Sequence, residues 1–261
     1  MRIKFVIPFA FGDLDMSSRS AQISSAALDP DTRVEIVPAR NSANLVENYY
    51  EATLFDMYLA EAGLRAEEEG YDALIMDTVS DSGLYTLRSR LSIPVIGPGL
   101  VSYCVAMMLG KKFSIVTIWD SLIHLYEKNL DTYHLWEKCA SIRSVNIPKD
   151  FEGMSSGKET LFTSGEQELF GKLTAEAKKA IVEDGADIIL LGSTTMHKAA
   201  DYMNDHLEAP VINPGPVALK LAETIVSLGL SHSKVAFPSP STIQDEKFFS
   251  LVSAGEEVAT S

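Results

Sequence analysis

The sequence predicts an α/β protein of two pseudo-symmetric lobes, each a parallel sheet flanked by helices. Short apolar runs alternate with longer amphipathic segments, the pattern of parallel-sheet architecture. A pattern in the first half recurs about 115 residues later. A chain of 261 residues, 46% of them hydrophobic, has ample apolar surface for one large core or two smaller ones.

The first strand is expected over Ile3–Phe9. Its apolar run stops at Asp13 with no small-residue cleavage site behind it, so a strand fits better than a secretion signal. A helix over Ser17–Leu28 is stopped by Asp29-Pro30-Asp31. Then come a strand at Val34–Val37, a helix over Leu45–Glu69, a strand at Ala73–Met76, a helix over Leu84–Leu91, a strand at Val95–Ile96 and a helix over Val101–Leu109, closed by Gly110. The second series has strands at Phe113–Ile118, Ser144–Ile147, Ile188–Leu191 and Val211–Ile212. Its helices are expected over Ser121–Lys138, Glu166–Glu183, Met196–His206 and Val217–Leu228. Between them Pro148–Gln167, rich in Gly, Ser and Thr and carrying Phe151 and Phe162, is the longest unpatterned stretch, the kind of segment that forms lids or excursions. The lobes divide as 1–110 and 111–261, with the C-terminal helix a candidate to pack back on the first.

The repeat is specific in its residues. Gly70-Tyr71-Asp72-Ala73-Leu74-Ile75-Met76-Asp77-Thr78, a helix and Ile93-Pro94-Val95-Ile96-Gly97-Pro98-Gly99 match Gly185-Ala186-Asp187-Ile188-Ile189-Leu190-Leu191-Gly192-Ser193, a helix and Ala209-Pro210-Val211-Ile212-Asn213-Pro214-Gly215. Lys4-Phe5-Val6-Ile7 is echoed by Lys112-Phe113-Ser114-Ile115-Val116. Ligands of open parallel sheets bind beyond the carboxyl ends of the strands. Two such edges facing each other form an inter-lobe cleft, flanked by the loops that begin at Thr78 and Ser193.

Charge and composition exclude several partners. With 22 Lys+Arg against 36 Asp+Glu, the net charge of -14 repels phosphate backbones and anionic lipid surfaces, which argues against nucleic acid and membrane partners. No stretch reaches the roughly 18 to 20 apolar residues of a membrane span, and a soluble cytoplasmic protein is expected. Two cysteines, Cys104 and Cys139, make no disulfide framework and fit a reducing compartment. Gly97-Pro98-Gly99 lacks the third glycine of a dinucleotide fingerprint, and no phosphate-loop Gly-Lys-Ser/Thr occurs. The five histidines, His124, His134, His197, His206 and His232, lack metal-ligand spacing. No cofactor and no metal is expected.

The chain resembles the aspartate/glutamate/hydantoin racemase superfamily, above all its hydantoin-racemase branch. The resemblance rests on Thr78-Val79-Ser80-Asp81-Ser82-Gly83-Leu84 after the third strand, on Pro94-Val95-Ile96-Gly97-Pro98-Gly99, on Leu109-Gly110-Lys111-Lys112-Phe113-Ser114-Ile115-Val116-Thr117, and on Leu191-Gly192-Ser193-Thr194-Thr195-Met196. It implies a cofactor-independent isomerase, self-associating as a homo-oligomer, that acts on a hydantoin-like ring or an amino-acid-derived carboxylate. Racemases of the superfamily use two thiols on opposite faces of the substrate, one removing the proton at the stereocentre and the other returning it. Here both thiol positions are hydroxyls, Thr78 and Ser193. A thiol, with a pKa of about 8.5, is readily brought to thiolate, whereas an alcohol needs an adjacent base even to act as a nucleophile. Cys104 falls in the helix after the Gly97–Gly99 turn and Cys139 at the end of the Ser121–Lys138 helix, neither at a thiol position of the family, and both are expected to be buried structural thiols.

Thr78, Ser193, His197 and Asp81 are therefore the catalytic candidates. His197 lies one turn beyond Ser193 and Asp81 three residues beyond Thr78, so the three side chains of Ser193, His197 and Asp81 are expected to converge. Val79, Ser80, Ser82, Thr194 and Thr195 add backbone and hydroxyl donors for a carboxylate or imide carbonyl, and the same hydroxyls can cap the helices that follow. Asp77, at the strand end, is either a buried acid or a turn cap. Thr117, near the end of the fifth strand, and Pro8 and Phe9, at the exit of the first, are further substrate-binding candidates, and the first strand's exit offers an apolar wall or packs the sheet edge. The alternatives to isomerisation are a hydroxyl-based hydrolase opening a cyclic amide, a decarboxylase, a thiol enzyme silenced by a Cys-to-Ser exchange at position 193, and a non-catalytic binding protein.

Overall fold

The computed structural model describes residues 1–8, 12–40, 46–149 and 166–259; Phe9, Phe151, Phe162 and most of the unpatterned segment lie outside the described residues. Two four-stranded sheets carry the fold, with strand orders β2-β1-β3-β4 and β6-β5-β7-β8. The first contains β1 (Arg2–Ile7), β2 (Arg33–Pro38), β3 (Ala73–Met76) and β4 (Val95–Ile96); the second contains β5 (Phe113–Thr117), β6 (Cys139–Ser144), β7 (Ile188–Leu191) and β8 (Val211–Ile212). Every pairing is parallel. The helices are α1 (Gly12–Ser25), α2 (Tyr49–Gly63), α3 (Leu84–Arg90), α4 (Pro98–Leu109), α5 (Ile123–Tyr133), α6 (Glu166–Asp184), α7 (His197–His206), α8 (Pro214–Ser227) and α9 (Asp245–Ala259).

The repeat in the sequence is a repeat in the backbone. Leu74 pairs with Val95 and Ile75 with Ile96 in the first sheet, and Ile189 with Val211 and Leu190 with Ile212 in the second. Gly70 and Gly185 take φ values of +77° and +76°, left-handed backbone that glycine adopts without strain. Each turn delivers an aspartate to the start of its sheet. Asp72 Oδ2 accepts from Arg2 N at 2.7 Å, and Asp187 Oδ1 accepts from Lys111 N and Lys112 N at 3.0 Å. At the other end Asp77 N donates to Val6 O and Gly192 N to Val116 O, both at 2.8 Å.

Side chains alternate between the two faces of each sheet, as the period of a strand requires. Val6, Leu74, Met76 and Val95 pack with α2 and with Val252 of α9, while Ile3, Phe5, Ile7, Ala73, Ile75 and Ile96 face Ala218, Leu219 and Ala222 of α8. In the second sheet Val116, Ile189, Leu191 and Val211 face α6 and α7, and Phe113, Ile115, Ile188, Leu190 and Ile212 pack against Tyr103 and Ala106 of α4. Each half thus lends a helix to the other: α4 follows the first sheet but covers the second, and α8 follows the second but covers the first. No helix of the described residues is long and apolar enough to cross a membrane.

Several boundaries differ from expectation for identifiable reasons. Helices α4 and α8 begin three residues earlier than their apolar patterns, because Pro98 and Pro214 occupy the first turn, where proline's missing N–H has no helical partner to lose. Strand β6 is Cys139–Ser144, not Ser144–Ile147; it is a half-buried edge strand whose weak pattern hid it. The apolar residues that suggested the later position follow the strand, where Val145 N and Ile147 N donate to Thr117 O and Ile118 O at 3.1 Å. Helix α2 is much shorter than the expected span 45–69, ending at Gly63, and Leu45 lies outside the described residues. The expectation of a buried Cys104 is corrected: on α4 its side chain is exposed, and Cys139 is half-buried.

Candidate active site

The carboxyl ends of β1, β3, β5 and β7 surround one cavity, with about 700 Å³ of empty space including its open mouth. The first half contributes Pro8, Arg19, Val46, Phe55, Asp77, Thr78, Val79 and Ser80; the second contributes Trp119, Leu122, Leu125, Tyr126, Gly192, Ser193, Thr194 and Thr195. Among the candidates from the sequence, Pro8, Thr78, Val79, Ser80, Ser193, Thr194 and Thr195 line this space. Asp81, Ser82, Thr117 and His197 lie outside its lining, and Phe9 lies outside the described residues.

The loop after β3 is buried and internally bonded. Thr78 N donates to Met76 O at 2.7 Å, Ser82 N donates to Thr78 Oγ1 at 3.3 Å, and the Ser80 and Ser82 hydroxyls are 2.9 Å apart. Val79 O accepts from Asn129 Nδ2 of α5 at 2.8 Å, so the second half fastens the first half's loop. Asp81, left-handed at φ +54°, turns away from the cavity and accepts from Gly99 N at 2.9 Å, Leu100 N at 2.7 Å and Tyr133 Oη at 2.8 Å. It caps the N-terminus of α4. Burial pushes its carboxyl up to about 6, against the pull of those three hydrogen bonds.

The loop after β7 is more open. Ser193 and Thr195 are half-buried, their hydroxyls 2.7 Å apart, and Thr195 N donates to Ser193 Oγ at 3.3 Å. His197 starts α7, is buried, and its carbonyl accepts from Asn213 Nδ2 at 3.2 Å. The hydrogen bonds of Ser193 run to Thr195 and those of Asp81 to α4 and Tyr133, so among the described residues no hydrogen bond joins Ser193 or Asp81 to the other or to His197. Thr117 sits one bond behind the wall: its hydroxyl is 2.8 Å from Tyr126 Oη, which donates to Gly192 O at 2.6 Å.

Arg19 of α1, which sequence reasoning did not single out, reaches the cavity wall. Its Nη1 pairs with Asp77 Oδ2 and donates to Thr194 Oγ1 at 3.2 Å, joining the two strand-end loops. Burial pushes the Asp77 carboxyl up and the Arg19 guanidinium pulls against it. The cavity also gains Val46, Phe55, Trp119, Leu122 and Leu125, an apolar wall drawn from two distant segments, 46–55 and 119–125. An acid at the end of an otherwise apolar strand was the available signal for Asp77; nothing in the local sequence of α1 pairs Arg19 with it.

The chain's two thiols play no part here. Neither lines the cavity, and burial pushes the Cys139 thiol up to about 12, with its Sγ 3.4 Å from Ser141 O. Among the described residues no cluster of three His, Cys, Asp or Glu could hold a metal ion.

Comparison with known proteins agrees with this fold. The description of the Asp/Glu/Hydantoin racemase family matches residues 14–222. A hydantoin racemase of Pseudomonas sp. (strain NS671) is 31% identical over 237 residues, 90% of each chain, and one from Paenarthrobacter aurescens is 31% identical over 201 residues, 76% of this chain and 80% of the other. An allantoin racemase from Klebsiella pneumoniae superposes with a TM-score of 0.80 at 25% sequence identity, over 94% of this chain and 96% of the other. The match to arylmalonate decarboxylase, TM-score 0.61 at 17% identity over 88% and 94% of the two chains, shows the shared fold. With the family description covering most of its length, the chain belongs to the Asp/Glu/hydantoin racemase family, as an enzyme of the isomerase kind.

Proposed function

We propose that the protein isomerises the stereocentre of a small hydantoin-like ring held in the cavity between the two sheets. The observation that carries this reading is the convergence of the repeated loops: Thr78–Ser80 from one half and Ser193–Thr195 from the other line a single space, at the positions where the resemblance puts thiols. Relatives named as hydantoin and allantoin racemases support a ring substrate.

The chemistry in this reading differs from a thiol pair. A proton leaving a carbon next to a carbonyl pushes negative charge onto the carbonyl oxygen, and preorganised donors facing that oxygen stabilise the charge. The hydroxyls of Thr78, Ser80, Ser193 and Thr195 are such donors, set beside the apolar residues of the wall. Hydroxyls are poor bases at neutral pH, so in this reading solvent at the open mouth of the cavity takes the proton from the acidic substrate carbon and returns one to either face, while the hydroxyls stabilise the oxyanion formed between the two transfers. Asp81 and His197 act by positioning the loops that carry the donors.

A second reading is favoured by the hydroxyls themselves: the cavity retains ligand recognition without proton transfer. Hydrolysis is the weaker alternative, because Ser193 bonds to another hydroxyl and, among the described residues, hydrogen-bonds to no base of the kind a serine nucleophile needs. One experiment divides these. An enantiopure 5-substituted hydantoin is incubated with the protein in deuterated buffer and followed by circular dichroism and proton NMR. Loss of optical signal with deuterium entering the stereocentre supports isomerisation. Retained optical signal with ligand-dependent thermal stabilisation supports binding alone, and release of an open-chain acid indicates hydrolysis.

A further inference from the structure

One helix holds both cavity loops. Tyr126 and Asn129 lie three residues apart on α5, each 2% exposed. Tyr126 Oη donates to Gly192 O at 2.6 Å, and Asn129 Nδ2 donates to Val79 O at 2.8 Å. A carbonyl shares one rigid plane with the N–H of the residue that follows it. The first bond therefore orients the peptide leading into Ser193 and the second the peptide leading into Ser80. Each falls on the link just before a serine that lines the cavity.

Both holds leave little freedom. The single phenol proton of Tyr126 goes to Gly192 O, so at 2.8 Å the Thr117 hydroxyl is the donor to Tyr126 Oη and fixes the polar end of the ring. A Cβ on Gly192 would stand 2.8 Å from Tyr126 Oη and from Thr117 Cβ, so the Ser193 loop lies close against both side chains. Leu122, Leu125, Tyr126 and Asn129 follow the i, i+3, i+4, i+7 spacing of one helical face, and the two leucines on that face belong to the apolar wall of the cavity. Residues three apart on a helix are offset by about 4.5 Å along its axis. Helix α5 is thus a spacer of fixed length between loops that come from opposite halves of the chain.

We infer that Tyr126 and Asn129 are positioning residues that set the spacing of the Thr78–Ser80 and Ser193–Thr195 loops, so that both present their donors to one bound ring. The inference rests on the reading of the cavity as a racemase site. Although Tyr126 lines the cavity, its proton is given to Gly192 O, and it acts through the loop it holds.

The test follows racemisation and deuterium exchange of an enantiopure 5-substituted hydantoin with the native protein, Tyr126→Phe, Asn129→Leu and the double variant, at a temperature where thermal unfolding shows each to be folded. Donors aimed at developing charge act on the transition state, so each single exchange is expected to lower kcat about tenfold or more while KM stays within about threefold of native. Either displaced loop already spoils the arrangement, so the double variant is expected to lose less than the product of the two single losses. A lowered unfolding temperature with kcat unchanged assigns the two bonds a purely structural role and overturns the inference, leaving the cavity reading intact. Losses that multiply in the double variant overturn the shared spacing equally. Absence of turnover by the native protein removes the racemase reading and the inference with it. Tyr126→Phe keeps the buried ring and sheds one oxygen, so it decides the matter even where the Asn129 exchange does not fold.

Discussion

The two strand-end loops occupy equivalent places in the repeat and are held by different means. In the first, Asp81 reaches back to the N–H groups of Gly99 and Leu100, so loop and helix α4 are clamped within one half. In the second, no acid follows Ser193 at the corresponding place, and the N-terminus of α8 is approached instead by Gln22 of α1, from the other half of the chain. Gly99 and Gly215 are equivalent residues that admit different neighbours. A duplicated backbone thus preserves strand and helix positions, while the polar groups that tie them down are free to diverge. The result is one rigid wall and one open wall around the same space.

The largest effect tests whether these walls face one another across a stereocentre. The paired exchange Thr78→Cys with Ser193→Cys is expected to raise the rate of hydantoin racemisation by about 10²-fold or more, the scale of general acid–base catalysis by a group whose pKa lies near working pH. Either exchange alone is expected to give much less, because racemisation needs an acceptor on one face and a donor on the other. Deuterium exchange at the stereocentre is the readout. A paired variant that folds and binds ligand yet is no faster shows that the two positions do not flank the same carbon.

The clamp on the first wall predicts an asymmetry in stability. Asp81→Ala strips a buried acceptor from two backbone N–H groups and the Tyr133 hydroxyl, and is expected to cost about 3 kcal/mol in urea unfolding. The equivalent glycines extend the comparison. A Cβ on Gly99 would stand 2.2 Å from the carbonyl oxygen of Val79, backbone that cannot yield cheaply, and Gly99→Ala is expected to cost about 2–3 kcal/mol. The nearest atom to a Cβ on Gly215 is the tip of the buried Gln22 side chain, which yields at lower cost than backbone, so Gly215→Ala is expected to cost less, about 1–2 kcal/mol. Equal costs would mean that the two helix starts are packed alike.

How far the sequence revealed this depends on whether an interaction is local. Strands β3, β4, β7 and β8 lie where their apolar runs place them, because every residue of all four is buried, in the edge strands β4 and β8 as well as in the central β3 and β7. Edge strand β6 reports only weakly and was misplaced. The loops at Thr78 and Ser193 were legible as a repeat and they line the cavity. Arg19, Phe55 and Trp119 were not legible, because they reach it only through the folding of distant segments onto one another. The expected convergence of Ser193, His197 and Asp81 used spacing along the chain, whereas the left-handed backbone at Asp81 turns its carboxylate toward α4.

The smallest effect opposes the two lent helices in their response to pH. Glu223 of α8 holds the 29–32 turn of the first half, accepting from Asp29 N at 2.8 Å and Thr32 Oγ1 at 2.6 Å and pairing with Lys220 at 2.6 Å. These partners outweigh burial and hold its carboxyl at about 2. Because the folded pKa lies below the unfolded value of 4.5, this contribution is present above pH 4.5 and is lost as pH falls toward 2. Glu223→Gln is expected to cost about 1 kcal/mol at neutral pH, with the gap to the native protein closing below pH 4.5. Asp81 at the start of α4 has the opposite sign. Its folded pKa of about 6 lies above 3.8, so its favourable contribution is present below pH 3.8 and is lost as pH rises through 6. The native protein should therefore lose stability relative to Asp81→Asn between pH 4 and 7, while its advantage over Glu223→Gln stays flat across most of that range. Urea titrations of the three proteins at half-unit pH steps measure both slopes. Parallel slopes would mean that both carboxylates are held by the same balance of burial and hydrogen bonding, and the contrast between the two helix attachments would fall.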